Sequence, residues 1–119
     1  MPALASSDTQ FKVSWPANTT PQAPDGSGTT QRSLCGYSLT TTVASIRFVK
    51  FYDKATSPTV GTDVPKRTVQ VPASGHVQAS FPRGITFSLG LWISVTTVAT
   101  DVDATAPAAN DVLVTVEYQ

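Results

Sequence analysis

Residues 81–97 alternate with period two. Ile85, Phe87, Leu89, Leu91, Ile93 and Val95 fall on one side, and Thr86, Ser88, Gly90, Trp92, Ser94 and Thr96 on the other. This predicts one long half-buried strand with its aliphatic side against a core, because successive side chains of a strand point to opposite faces. The same signal recurs along the chain. Phe11, Val13 and Trp15 alternate with Lys12 and Ser14 until Pro16 ends the run. Tyr37, Leu39 and Thr41 share a face, as do Val77, Ala79 and Phe81. Val69 and Val71 begin a further strand. Val112, Val114, Val116 and Tyr118 alternate to the end, and the three valines are expected to share the core of the 85–95 set.

Residues 45–53 break the rule. Ile46, Phe48 and Tyr52 lie on one parity, and Val49 and Phe51 on the other. A strand apolar on both faces must be covered on both, or must carry a bulge that swaps them. The cover is a loop, the N-terminal segment or another subunit. The expectation is a homo-oligomer, a dimer or trimer, because two apolar faces are hard to cover within one thin sandwich.

Turn signals separate the runs: three prolines and Asp25-Gly26 in residues 16–30, a turn-rich stretch at 54–65, Pro72-Ala73-Ser74-Gly75, and an Asp/Ala/Thr/Pro loop at 101–110. About seven or eight short strands and no convincing helix predict an all-β fold, an antiparallel β-sandwich of jelly-roll type. Residues 1–28 read as a loose polar end, a first strand and a Pro/Thr-rich arm. Residues 29–119 read as a single sandwich domain.

Only 13% of the 119 residues are charged, eight basic against eight acidic. A neutral chain lacks the basic stripe that nucleic-acid binding needs. No apolar run is long enough to span a membrane, and the first ten residues lack the basic and apolar regions of a secretory signal. The expectation is synthesis and folding in a cytoplasm.

Candidate chemistry is sparse. One histidine, His76, and one cysteine, Cys35, build neither a triad nor a zinc site. His76 reads as an exposed turn residue, and Cys35 as a small buried hydrophobe. The acids sit almost all in turns, where aspartate caps backbone N–H groups. Asp101 and Asp103 are the one pair spaced to attract a hard cation, although calcium asks for six to eight oxygens. No enzyme activity, cofactor or metal is expected. Trp92 stands out as a large aromatic on an otherwise polar face, which points to a cover, a subunit contact or a sugar-stacking platform. With Trp15, Phe48, Val49 and Phe51 it forms the set of interface candidates.

The sequence from 36 to 118 resembles a small virion-protein family of tailed bacteriophages. The resemblance is carried by Gly36-Tyr37, RFVKFYDKATSPTVGTDVP at 47–65, VPASG at 71–75, FPRGITFSLGL at 81–91, DVDATA at 101–106 and AANDVLVTVEY at 109–118, in that order. It implies a small β domain of the phage particle, a head decoration or cement protein stabilising the head lattice, with major capsid protein or other virion proteins as partners. The alternative is a carbohydrate-binding or fibre-associated module for host attachment, with Trp92 and Trp15 as stacking residues. The family brings no catalytic motif and no cofactor. The implied location is the virion, assembled in a host cytoplasm.

Overall fold

A computed structural model describes residues 9–119, so the loose end expected at residues 1–8 lies outside the described residues. The described chain forms seven strands: β1 (Thr9–Ser14), β2 (Arg32–Thr41), β3 (Arg47–Asp53), β4 (Arg67–Val71), β5 (His76–Phe87), β6 (Leu91–Thr96) and β7 (Val112–Tyr118). They make two antiparallel sheets, β1-β7-β2-β5 and β4-β3-β6. A single antiparallel bridge from Gln22 to Ile93 adds to the free edge of β6. The chain is thus an all-β sandwich with the strand order of a jelly roll, its eighth strand reduced to one bridge.

Period-two patterning decides which side chains meet between the sheets. Rows of partnered residues cross the larger sheet as Phe11–Val116–Tyr37–Ala79 and Val13–Val114–Leu39–Val77. From the smaller sheet Val49, Phe51, Val69, Val71, Leu91, Ile93 and Val95 face them, and all are buried. Leu34 has the wrong parity for its strand yet belongs to the same core. The ladder register shifts between Leu34 and Gly36, so Cys35 is the extra residue of a bulge that turns Leu34 inward.

The long strand expected at 81–97 is broken. Residues 88–90 carry the chain from β5 in one sheet to β6 in the other. Asp53 holds this crossing, its carboxylate accepting from the N–H groups of Ser88 (3.1 Å), Leu89 (2.8 Å) and Gly90 (3.4 Å). Gly90 is required by close approach, since a Cβ there would lie 1.9 Å from the Gly28 carbonyl oxygen. Ile85, Phe87, Leu91, Ile93 and Val95 keep the inward parity, but Leu89 rides the crossing and is 54% exposed. Leu89→Ala is therefore expected to change stability by no more than about 0.5 kcal/mol, as surface substitutions do. Urea unfolding checks this, and a loss of about 2 kcal/mol or more would restore Leu89 to the core.

Candidate interaction site

Four of the five interface candidates lie on the smaller sheet and Trp15 follows β1 of the larger one, and the fold separates them. Val49 and Phe51 point into the sandwich and are fully buried. Trp15 has no exposed surface either. Its backbone joins Val112 and Asn110, and its indole N–H donates to the Asn18 carbonyl at 2.9 Å. These three side chains are core, and none is open to a partner. Phe48 and Trp92 lie on the outer face of the smaller sheet and are half-buried.

The chain's own loops cover that outer face. The indole N–H of Trp92 donates to the carbonyls of Gly28 and Lys54, each at 3.1 Å. Ser94 donates to the Thr19 carbonyl at 2.8 Å. Residues 16–28 thus pack as part of the sandwich rather than as a detachable arm. Loops 54–65 and 97–105 meet at Gly61, where an added Cβ would lie 3.3 Å from both the Ala104 Cβ and the Val102 carbonyl oxygen. The second face of β3 therefore needs no other subunit, which removes the reason for which a dimer or trimer was expected.

At the centre of the covered face stands Lys50, fully buried. Its ammonium donates to the carbonyls of Thr100 (2.7 Å) and Asp103 (3.2 Å). Burial holds its pKa below the usual lysine range, against the opposing charges of Asp103 and Asp101. The DVD loop thus wraps its carbonyls around an ammonium of the chain. The Asp103 carboxylate is engaged by the N–H groups of Val98 and Thr105 and the Thr105 hydroxyl. No group of three or more His, Cys, Asp or Glu side chains arranged to hold a metal exists among the described residues.

Beside Lys50, Tyr52 is also fully buried, and its hydroxyl has no hydrogen-bond partner among the described residues. Burial, reinforced by the charges of Asp101 and Asp63, pushes its pKa from 10.0 up to about 12. A folded-state pKa above the unfolded one means that the stabilisation is complete below pH 10 and lost as pH rises through about 12. At about 1.4 kcal/mol per pKa unit the loss approaches roughly 3 kcal/mol. Tyr52→Phe is expected to remove this alkaline fall and to be neutral or stabilising at neutral pH, because it deletes an unpaired buried hydroxyl. Urea unfolding of both proteins from pH 8 to pH 12 measures it, and parallel curves would refute it.

Elsewhere the chemistry is spent on structure. His76 is exposed, with Nδ1 2.8 Å from the Thr40 hydroxyl and Nε2 3.4 Å from Gln78 Oε1, and no carboxylate among the described residues orients the ring. Asp25 accepts from Ser27 and Gly28 N–H and pairs with Arg32 at 2.8 Å. The outer face of the larger sheet carries a shallow polar depression of about 210 Å³ bordered by Gln10, Ser38, Gln78, Ser80, Thr115 and Glu117. Two apolar side chains stand out from the loops over the smaller sheet, Val64 at 71% and Val102 at 78% exposure. Sequence reasoning missed both valines, because nothing in a turn-rich stretch tells which side chain the fold holds outward. It also passed over Lys50, although a lysine between Phe48 and Tyr52 on an apolar parity was a usable signal.

No protein-family model matches the chain, and a comparison with curated proteins finds no match. The fold and the covered face define an all-β sandwich with internally pinned loops.

Proposed function

We propose that this chain is a non-enzymatic structural protein of a phage virion, a head decoration or cement protein that binds the assembled lattice of major capsid protein. The observation that carries this reading is where the phage-like blocks fall. RFVKFYDKATSPTVGTDVP and DVDATA supply most of the two loops that meet over the smaller sheet and hold Val64 and Val102 outward. Those loops are already ordered. Lys54 pairs with Asp63 at 3.1 Å, Asp63 accepts from Thr59 N–H at 2.7 Å, and Lys50 ties down the second loop. Pre-ordered loops lose little entropy on docking. A protein that binds the lattice and not dispersed subunits stabilises the lattice by mass action.

The host-attachment alternative loses support from the same geometry. Trp15 offers no ring face to a sugar, and the indole N–H of Trp92 is held by two carbonyls of the chain.

The test is addition of purified protein to particles that lack it. Saturable binding at symmetry-related lattice sites, with greater resistance to heat or osmotic shock, is expected. Val64→Asp together with Val102→Asp should lower occupancy without unfolding the protein, since both side chains are exposed. Binding confined to the tail, or binding to host glycan, would replace the lattice reading.

A further inference from the structure

Among the described residues four of the eight basic side chains form ion pairs, and the other four are not evenly spread. Arg32 pairs with Asp25, Arg47 with Asp111, Lys54 with Asp63 and Lys66 with Asp53, at 2.8, 3.0, 3.1 and 3.8 Å. Lys50 is held by carbonyls. Among the described residues Lys12, Arg67 and Arg83, besides Lys50, are left without a carboxylate in ion-pair range. Lys12 lies on edge strand β1. Both arginines lie at the opposite side, where β4 ends one sheet and β5 ends the other.

Along that side β4 and β5 are the edge strands of different sheets, and cations stand against aromatic rings. Arg67 shares the inward parity of Val69 and Val71, and its guanidinium carbon stands 5.3 Å from the centre of the Phe81 ring. Further along β5, the Lys66 ammonium stands 5.2 Å from the Phe87 ring. Arg83 is exposed in the bulge between them, where the partner register jumps from Gly36–Ser80 to Leu34–Ile85. A guanidinium held against an aromatic ring keeps N–H groups free at its edge, in the fork geometry that fits a carboxylate. Asp53 is the carboxylate recorded at this seam, and it is occupied by Lys66 and the N–H groups of 88–90.

We infer that the β4–β5 seam, through Arg67 and Arg83, is a docking edge for an acidic protein surface. Charge complementarity selects that occupant. Two unpaired arginines in a chain of zero formal net charge are too few for a nucleic-acid backbone. Pro82 and the bulge prevent β5 from accepting another strand along its whole edge, so the contact runs through side chains. In the lattice reading above, the acidic surface belongs to the capsid. The seam itself stands or falls separately from that reading.

The experiment uses the whole protein with two probes, poly-L-glutamate and particles that lack the protein. Arg83→Glu is the main variant, since that side chain is exposed and covers no core. Arg67→Gln combined with Arg83→Gln is the second. Lys12→Glu makes the same charge change on the far edge. Wild type is expected to bind poly-L-glutamate, Arg83→Glu to weaken binding about tenfold at low salt, and Lys12→Glu to change it less than about twofold, with the difference closing at high salt. The proposal is overturned if wild type does not bind poly-L-glutamate, or if Lys12→Glu is as damaging as Arg83→Glu. It is also overturned if wild type decorates particles and both arginine variants decorate them equally well, a result that leaves the lattice reading intact. Binding to poly-L-glutamate through the seam without binding to particles upholds the seam and removes the lattice reading.

Discussion

A chain lacking residues 1–28 is expected not to fold. As a sequence, that segment reads as a pre-extended arm that should matter for binding more than for folding. In the structure its described part, residues 9–28, is a wall of the sandwich. β1 pairs along its whole length with β7, from Thr9–Tyr118 to Ser14–Leu113. Trp15 fills the core with no exposed surface. Gln22 bridges Ile93, Thr19 accepts from Ser94, Pro24 accepts from the Tyr118 hydroxyl, and Gly28 accepts from Trp92. Loss of a buried tryptophan side chain alone costs about 3–5 kcal/mol. Uncovering β6 and β7 adds to that, against a total stability of about 5–15 kcal/mol for a domain. Circular dichroism and amide-proton dispersion decide it. A truncated chain that keeps a dispersed spectrum and a cooperative melt would return residues 1–28 to the status of an arm.

Lys50→Ala is expected to cost about 3–5 kcal/mol, the second largest effect. The substitution empties the space of a buried four-carbon stem and strips the Thr100 and Asp103 carbonyls of their donor. Lys50→Met separates the two contributions, because it refills the stem and restores no donor. It is expected to lose only about 1–3 kcal/mol. Both variants should raise hydrogen exchange in residues 97–105, the loop that the ammonium ties to β3. Urea unfolding gives the first quantity and exchange the second. A loss under about 1 kcal/mol for Lys50→Ala would mean that the loop holds itself.

Much of the sandwich is legible in the chain because burial on one face of a strand imposes a period of two, which survives without knowledge of the neighbours. The runs at 11–15, 37–41, 69–71, 77–81, 85–95 and 112–118 all carry it. The same rule explains the one misplaced strand. The crossing from β5 to β6 takes three residues, so Phe87 and Leu91 keep one parity while belonging to different sheets. Local pattern cannot see that change. It depends on the Asp53 carboxylate, 35 to 37 residues away in sequence, gathering the N–H groups of Ser88, Leu89 and Gly90.

The binding candidates were less legible. Val49, Phe51 and Trp15 stand out in the sequence by their apolar character, which marks a core residue and an interface residue alike. Which of the two a side chain becomes depends on what the rest of the chain lays over it, and here loops 16–31, 54–65 and 97–105 lie over the smaller sheet. The sequence by itself determined the all-β class and most of the side chains that face inward, because alternation encodes face. It also determined the scarcity of catalytic side-chain types, with one histidine and one cysteine in the chain. Only the tertiary structure decided the covering of β3, the burial of Lys50 among loop carbonyls, and the placing of Arg67 and Arg83 on edge strands of the same side. Each of these joins residues far apart in the chain, and contacts at that range arise from packing between strands rather than from any local run of residues.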